Sequence, residues 1–283
     1  CLRGVGLLDR TVRGLLYPGD GLVIAVPGFI RYEVAAGSAG GRAVRVPGRP
    51  ETPFAHDLEG MLAAIGPRTR MVVLVNPNNP TGSRFTRPEL ERFLAQVPSH
   101  VLTVLDEAYY EFVEDSEYPN GLKYLGGEKP LLVFRTFSKI HALAGLRVGF
   151  GFGPPELIDH LDRARLPFNV NTVAQEAAIA ALGQDDHVVL SRRLARAETA
   201  FLGEALAQRG WTVYPTWTNF VFAETPLPGR ELADHLLRRG FLLRPLTGFG
   251  LEANWFRVSH GTREQNEAFL VALDQAAAEL RTP

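Results

Sequence analysis

The feature that most constrains the fold is a series of short, largely apolar segments separated by helical patterns. These segments are GLVIAVP, RAVRVP, RMVVLVNP, VLTVLDEAY, PLLVFRTFS and RVGFGFG. Strands that are apolar at nearly every position are typical of sheets that helices cover on both faces. The helical patterns between them supply the crossover connections that parallel strands require. This region therefore predicts an α/β fold with a mainly parallel central sheet and helices on both faces.

The C-terminal part of the chain shows a different pattern. A helical stretch runs from Asn171 to about Gln208 with a break at LGQDD, and a closing helix starts at Arg263. The strand-like segments between them are WTVYP, NFVFAE, FLLRP and WFRVSHG, and the helical one is GRELADHLLRRG. This order predicts a smaller C-terminal α+β domain. We therefore divide the chain into a large domain over residues 1–185 and a small domain over residues 186–283.

Composition and charge exclude several classes of protein. The net charge of −1 provides no basic surface for nucleic acid and no polybasic patch for a membrane. No apolar run of the sequence is long enough to span a bilayer. The one cysteine, Cys1, excludes an internal disulfide framework. This fits a reducing compartment, and we expect the cytoplasm.

Several common site motifs are missing from the sequence. The seven histidines lack metal-ligand spacing and there is one cysteine, so no metal site is predicted. The segment GVGLLD has Asp9 where a dinucleotide-binding fingerprint needs its third glycine, and GFGFGP ends in Pro154. The G-x-S-x-G motif of serine hydrolases does not occur. The chemistry must therefore come from other residues.

Polar side chains follow two of the predicted strands. NPNNPTG (Asn76–Gly82) comes directly after one strand, and Asp106 ends another. Ligands bind at the carboxyl ends of parallel strands, although an Asn-rich, Pro-rich segment is also typical of a simple turn. A carboxylate at the depth of Asp106 needs a partner, and the alternative interpretation is a helix N-cap.

The segment RTFSKIHALAGLRVGF places a lysine among residues that bind anions. Thr136, Ser138 and Arg147 offer hydroxyls and a guanidinium suited to a phosphate group. Lys139 lies among them, and we expect it to be buried, because the apolar segment LLVF precedes this stretch and the glycine-rich GFGFG ends it. The amine of a lysine forms a Schiff base with an aldehyde. Together with the carboxylate that ends the preceding strand, these residues fit pyridoxal 5′-phosphate. The ring nitrogen of this cofactor must stay protonated to withdraw electrons, and a buried Asp keeps it so.

Four segments of the chain resemble the motifs of the fold-type-I pyridoxal-phosphate aminotransferases. They are NPNNPTG, DEAYYEF, RTFSKIHALAGLRVGF and FRVSHGTREQN. The resemblance covers nearly the whole chain in order, and the subgroup that it resembles most is the histidinol-phosphate aminotransferases. It implies the fold-type-I transferase architecture, in which the active site lies between the cofactor domain and the small domain. It also implies a homodimer, with groups borrowed across the two-fold axis.

The resemblance implies roles for residues that contact the cofactor ring. Lys139 would be bonded to the cofactor and would move a proton during the reaction. Asp106 would pair with the pyridine nitrogen, and Asn79 and Tyr109 would donate hydrogen bonds to the 3′ oxygen. Phe29 lies where the family has an aromatic side chain stacked on the ring, an arrangement worth about 0.5–1.5 kcal/mol beyond burial.

The resemblance also implies roles in binding the phosphate and the substrate. Thr136, Ser138 and Arg147 would hold the cofactor phosphate. Arg257 corresponds to the arginine that receives the acidic group of the substrate. Arg244 matches a second arginine that the subgroup places near the substrate. No metal is implied.

The start of the chain departs from the family pattern. The family has a glycine-rich turn with a hydroxyl and an acid before its first cofactor-domain helix, and the backbone amides of this turn bind phosphate. Here Gly4, Val5 and Gly6 align with that turn, so the hydroxyl and the acid are missing, and the amides of Gly4 and Val5 would remain as donors. The family also has helices and an arm upstream, and we therefore expect an N-terminal truncation.

The activity that the resemblance implies is a ping-pong amino transfer in amino-acid biosynthesis. The amino group would pass between an amino acid or amino phosphate and a 2-oxo acid such as 2-oxoglutarate. Two alternatives remain open from the sequence. One is a lyase like threonine-phosphate decarboxylase, which shares these motifs, and the other is a degenerate, non-catalytic relative.

Overall fold

The computed structural model describes residues 4–165, 167 and 169–281. The helices are α1 (Gly4–Leu15), α2 (Arg31–Ser38), α3 (Leu58–Ala63), α4 (Arg87–Gln96), α5 (Pro155–Arg163), α6 (Thr172–Leu182), α7 (Asp185–Ala207), α8 (Gly229–Arg238) and α9 (Arg263–Arg281). The strands are β1 (Gly21–Val26), β2 (Arg42–Pro47), β3 (Thr69–Val75), β4 (Leu102–Asp106), β5 (Leu131–Thr136), β6 (Gly149–Phe152), β7 (Thr212–Tyr214), β8 (Phe220–Glu224) and β9 (Trp255–Ser259). Within this part of the chain, no helix combines the length and apolarity that a membrane crossing requires.

The larger sheet has six strands in the order β2-β1-β3-β4-β5-β6. The pairs among β1 to β5 are all parallel, which confirms the predicted mainly parallel sheet. Strand β6 pairs antiparallel with β5. The described segment between these two strands, residues 137–148, contains a 3₁₀ turn (Ala144–Leu146) rather than a crossover helix. Without such a helix the chain returns antiparallel.

Helices cover the larger sheet on both faces, as the apolar strands predict. Successive side chains of β3 belong to different clusters, because strand residues alternate between faces: Met71 packs on one side and Val72 on the other. On one side, helix residues from α1, α2 and α5 join the core, among them Leu7, Val12, Ala36 and Leu161. On the other side, α3 and α4 contribute Met61, Leu90 and Phe93.

The C-terminal part of the chain contains an antiparallel sheet in the order β7-β8-β9. Its apolar side packs against α7, α8 and α9 through residues such as Leu202, Val221, Leu232, Phe256 and Leu273. This confirms a smaller α+β unit at the C-terminus, while the boundary between residues 185 and 186 stays a prediction.

The prediction of a strand at FLLRP is wrong. In this segment Pro245 makes one isolated bridge to Phe256 of β9. A proline has no N–H to donate to a ladder, so the pairing does not extend.

The loop that follows β3 joins the two sheets. The backbone carbonyl of Gly82 accepts a hydrogen bond of 3.0 Å from the backbone amide of Trp217, which lies between β7 and β8. Gly82 has a φ of 74°, a conformation that glycine adopts without strain. A Cβ atom at this position would lie 2.3 Å from Oγ1 of Thr216. The sequence thus needs glycine at the point where the NPNNPTG loop meets the C-terminal part.

We expect Gly82→Ala to lower the free energy of unfolding by about 2–4 kcal/mol, because it adds both backbone strain and a steric clash. The midpoint of urea denaturation measures this change. The matched control is Gly203→Ala near the C-terminal end of α7, where a Cβ atom would meet Val213 at an ordinary 3.6 Å. In this control the free energy of unfolding should rise by about 0.5–1 kcal/mol, because alanine has a higher helix propensity than glycine. Equal effects of the two substitutions would contradict the prediction.

Candidate active site

The predicted site residues gather at the carboxyl edge of the larger sheet. The NPNNPTG loop follows β3, Asp106 is the last residue of β4, and Thr136 is the last residue of β5. A cavity of about 180 Å³ opens at this edge. Its lining includes Phe29, Asp106, Thr136, Ser138, Lys139 and Arg147. The structure therefore brings together residues from four separate segments of the sequence.

Asp106 is buried, and hydrogen bonds hold both of its carboxylate oxygens. The hydroxyl of Tyr32 donates to Oδ2 at 2.8 Å, and the backbone amide of Ala108 donates to Oδ1 at 3.1 Å. Burial raises the pKa of Asp106, and the hydrogen bonds from Tyr32 and Ala108 and the charge of Lys139 oppose that rise. The 3₁₀ turn after β4 starts at Tyr110 and has Tyr109 as its N-cap, so Asp106 is not a helix N-cap.

Tyr32 was not among the residues that the sequence pointed to. It lies on α2, three positions after Phe29, and its side chain is 1% exposed. Its ring packs edge-on to that of Phe29, with centroids 6.2 Å apart. Burial, together with the charge of Asp106, raises the pKa of Tyr32 well above its ordinary value. A tyrosine on the apolar face of a helix beside a predicted site residue was the available signal.

Lys139 lies in the turn after β5 and is half-buried, not buried as its apolar surroundings suggested. The side chains on either side of Lys139 explain why the turn is apolar and yet leaves the lysine half-buried. Phe137 and Ile140 point into the protein core, whereas Ser138 and Lys139 line the cavity. The amine Nζ lies 5.1 Å from the ring centroid of Tyr109. The turn is thus held by apolar contacts while its amine faces the cavity.

The predicted phosphate-binding residues lie at one end of the same cavity. Oγ1 of Thr136 accepts a hydrogen bond of 3.0 Å from the backbone amide of Ser138, which closes a tight turn. Arg147 is exposed and has a φ of 58°. Its Nη1 donates to the carbonyl of Ala144 at 2.7 Å. Hydroxyls and a guanidinium in this arrangement suit an anion.

Gly4 and Val5 are the first two residues of α1 rather than part of a turn before it. The first backbone amides of a helix have no partner within the helix, so they can still bind an anion. Leu7 and Leu8 from the same helix line the cavity. The phosphate contact of Gly4 and Val5 stays a prediction.

Asn79 and Arg257 come from different sheets and contact each other. Nη1 of Arg257 donates to Oδ1 of Asn79 at 2.7 Å. On β9, Phe256 and Val258 face the core, whereas Arg257 lies on the opposite side and is half-buried, as the alternating sequence predicts. This arginine is therefore held in place and is not a freely solvated side chain.

A second cavity, of about 760 Å³, is lined mainly by residues of the C-terminal part of the chain. Arg244 and Arg257 line it, and so does Ile30, whose neighbour Phe29 lines the smaller cavity. Arg244 is exposed and directly precedes the bridge between Pro245 and β9. Two guanidinium groups facing one open space suit an anionic ligand. The structure thus places both predicted substrate arginines in one cavity.

Tyr109 is buried and its ring lies close to the amine of Lys139. Its ring packs edge-on to Phe220 with centroids 5.5 Å apart, and the guanidinium carbon of Arg257 lies 4.9 Å from the Phe220 centroid. A chain of contacts therefore runs from Lys139 through Tyr109 and Phe220 to Arg257. The residues predicted to contact the cofactor ring and the arginine predicted to contact the substrate therefore form one connected region.

An ion pair between Arg135 and Glu107 lies beside this region, and no pattern in the sequence indicated it. Nη2 of Arg135 lies 2.8 Å from Oε2 of Glu107, which is 1% exposed. The amide of Gly121 donates to the other oxygen of Glu107 at 2.7 Å. Burial raises the pKa of Glu107 to about 7, against the opposing effect of Arg135. Arg135 also stacks on the ring of Tyr110 at 3.6 Å and so holds the turn after Asp106.

The groups around the smaller cavity fit pyridoxal phosphate. Asp106 presents a carboxylate for the pyridine nitrogen, and Lys139 presents an amine for the aldehyde. The hydroxyl and guanidinium groups at the other end suit the phosphate, and Phe29 supplies an aromatic wall. Each part of the cofactor therefore has a chemically complementary group in this cavity.

Comparisons with known proteins agree with this geometry. The family model described as aminotransferase class I and II matches residues 1–273. The histidinol-phosphate aminotransferase of Moorella thermoacetica is 47% identical, over 96% of this chain and 70% of its own length. Histidinol-phosphate aminotransferase 1 of Nitrosococcus oceani is 41% identical, over 97% of this chain and 73% of its own length.

Among solved structures, the chain is similar to histidinol-phosphate aminotransferase from Sinorhizobium meliloti in complex with pyridoxal-5′-phosphate. The TM-score is 0.89 at 29% identity, over 98% of this chain and 75% of the other. The family match, the sequence identity and the shared fold agree over nearly the whole chain. The chain therefore belongs to the class I and II family of aminotransferases, which depend on pyridoxal phosphate.

Proposed function

We propose that the enzyme transfers an amino group between histidinol phosphate and a 2-oxo acid, with 2-oxoglutarate as the common partner, in amino-acid biosynthesis. The observation that carries the proposal is that the cavity with Lys139 and Asp106 is linked to a larger cavity with two arginines. The link is the row of ring contacts from Lys139 through Tyr109 and Phe220 to Arg257. The names of the most similar curated relatives support the choice of histidinol phosphate. Both substrates are anions, which suits the arginines.

When bound, the cofactor acts as an electron sink for the bond that breaks at the substrate's α carbon. We infer that Lys139 anchors it covalently and that its Nζ then carries the proton removed from that carbon. Asp106 holds the proton on the pyridine nitrogen through its negative charge. Tyr109 and Asn79 would hydrogen-bond the 3′ oxygen, and Phe29 would stack on the ring. Since Oδ1 of Asn79 already accepts from Arg257, the amide nitrogen of Asn79 would be its donor to the cofactor.

The phosphate contacts that we propose come from Thr136, Ser138 and Arg147, with the first amides of α1 at Gly4 and Val5. These groups anchor the cofactor at the end opposite Asp106. Anchoring both ends fixes the ring relative to Lys139, so proton transfer occurs from a defined position.

Arg257 is the proposed receptor for the acidic group of each substrate in turn, with Arg244 as the second arginine. The same pair serves both half-reactions, because the amino donor leaves before the 2-oxo acid enters. The hydrogen bond to Asn79 keeps the Arg257 fork oriented towards the cofactor. A bidentate contact between this fork and an oxyanion then aligns the substrate's α carbon with Lys139.

We further propose a cytoplasmic homodimer. Large apolar side chains are exposed on α6 and the start of α7, and they include Val173, Ile179, Leu182, Val189 and Leu190. Burial of this surface by a second copy would remove it from water. The single cysteine supports a reducing compartment. Light scattering after size-exclusion chromatography tests the dimer, and a monodisperse monomer would contradict it.

The test of the proposed function is a panel of amino donors, scored by bleaching of the colour of the cofactor-loaded protein. We expect histidinol phosphate to give the highest kcat/KM and 2-oxoglutarate to restore the colour. Release of carbon dioxide without consumption of a 2-oxo acid would identify a lyase. Cofactor binding without turnover of any donor would identify a non-catalytic relative.

We expect Lys139→Ala to abolish the covalent protein–cofactor adduct that borohydride reduction traps. Loss of the proton carrier should also lower turnover by about 10²–10⁴-fold. Mass spectrometry of the reduced protein and steady-state kinetics measure the two effects. The control is Lys123→Ala, at an exposed lysine in a 3₁₀ turn that lines neither cavity. It should change neither the adduct nor turnover. A trapped adduct in Lys139→Ala would remove this lysine from its role.

We expect Arg257→Lys to lower kcat/KM for both acidic substrates by a factor that corresponds to about 1.5–3 kcal/mol. An ammonium group cannot reproduce the two parallel hydrogen bonds of a guanidinium. The dissociation constant of the cofactor should stay nearly constant, because other residues hold the phosphate.

The matched control is Arg263→Lys, since Arg263 also lies over an aromatic ring, at 3.8 Å from that of Phe201, but does not line either cavity. Its kinetics should match those of the parent enzyme. Unchanged kinetics in Arg257→Lys, or a loss confined to cofactor affinity, would leave Arg244 as the substrate residue.

A further inference from the structure

The hydroxyl of Tyr32 has a structural role that packing alone does not require. The side chain is 1% exposed and belongs to the core between the sheet and α2, where Ala35 and Ala36 are also buried. A phenylalanine would fill the same space without a polar atom. A buried hydroxyl is unfavourable unless it has a hydrogen-bond partner. The partner here is Oδ2 of Asp106, at 2.8 Å.

The two donors to Asp106 come from different parts of the fold. Tyr32 is on α2, whereas Ala108 belongs to the turn that follows β4. Each donor binds a different carboxylate oxygen, so rotation of the carboxylate plane would break at least one bond. An ionised carboxylate has about four lone-pair positions, which leaves acceptor capacity on each oxygen for a cofactor nitrogen. The arrangement therefore fixes the carboxylate without saturating it.

Burial favours the neutral form of Asp106, and few groups oppose it. Burial raises the pKa of Asp106, and the largest opposing effect is the hydrogen bond from Tyr32, followed by the Ala108 amide and the charge of Lys139. Arg135 and Arg147 line the same cavity from the β5 side. Under the proposed mechanism Lys139 exchanges protons, so its charge is not constant. Tyr32 keeps its proton, because burial raises its own pKa well above the ordinary value.

We propose that Tyr32 is a positioning residue, which orients the Asp106 carboxylate and keeps it negatively charged for its contact with the cofactor's ring nitrogen. This inference rests on the proposed role of Asp106. Phe29, which lines the cavity just before α2, packs against the ring of Tyr32. One helix thus sets both the aromatic wall of the cavity and the orientation of the carboxylate at its base.

The first test measures Asp106 itself in the cofactor-free protein. Carbon-13 labelling of aspartate carboxyls allows titration by NMR, and the signal missing in Asp106→Asn assigns Asp106. We expect Tyr32→Phe to raise the titration midpoint of Asp106 by about one pH unit or more, because it removes a donor to the charged form. Replacement of Tyr32 by 3-fluorotyrosine, a stronger donor that keeps the hydroxyl, should lower the midpoint.

The control is Tyr118→Phe, which removes a hydroxyl that donates to the backbone carbonyl of Asn76 at 2.5 Å. It should leave the Asp106 midpoint unchanged, and urea denaturation reports the stability of every variant. An unchanged midpoint in both Tyr32→Phe and the 3-fluorotyrosine protein would overturn the proposal. This titration needs no turnover, so it tests Tyr32 even where the proposed transamination fails.

The second test is a double-mutant cycle in the cofactor-loaded enzyme. We expect Tyr32→Phe to lower kcat about tenfold, with little change in KM for the amino donor, because the substrate arginines are untouched. In the Asp106→Asn background, Tyr32→Phe should have almost no further effect on kcat, since both changes act on one contact. A tenfold loss in that background as well would assign Tyr32 a role that does not pass through Asp106 and would overturn the proposal.

Discussion

The parallel register of β3, β4 and β5 is the constraint on which the site depends. Asp106 pairs with Val75 on one side and lies beside Phe134 on the other. Side chains alternate between faces, so a shift of one residue would turn the Asp106 carboxylate to the opposite face of the sheet. The apolar side chains of β3 and β4 prevent such a shift because they are buried on both faces. Core packing therefore determines where the carboxylate of Asp106 points.

The C-terminal sheet is held in position by contacts with the loop at the carboxyl end of β3. The NPNNPTG loop contacts this part of the chain twice, through the carbonyl of Gly82 and through the side chain of Asn79. The second contact holds Arg257, which lies on the face of β9 opposite its contacts with α7 to α9, the face that also carries the buried Trp255. Asn79, which we propose contacts the cofactor, and Arg257, which we propose contacts the substrate, are thus linked by a direct hydrogen bond. The two sheets carry complementary halves of one site.

The fold and much of the site could be predicted because burial and strand ends leave local patterns in the sequence. Apolar runs predicted the strands, and Asp106 and Lys139 were found because each follows such a run. The roles of Arg257 and Arg244 came from resemblance to a family. The bond between Tyr32 and Asp106 joins residues 74 positions apart, and it depends on which helix packs over β4. No local sequence pattern indicates which helix packs over β4. The exposure of Lys139 also could not be predicted, because it depends on the path of the backbone in the turn after β5.

The segment 137–148 leaves the sheet after β5 and returns along its edge as antiparallel β6. It carries Lys139, the proposed cofactor anchor, and the exposed Arg147, while the neighbouring parallel strands keep their own pairing. Sequence changes between Phe137 and Val148, both buried, can therefore alter cofactor contacts without moving the register of β3 and β4. In evolutionary terms, this part of the site can diversify independently of the scaffold. Variation in cofactor affinity among descendants of this chain should concentrate there, and loss of folding should map to the strands.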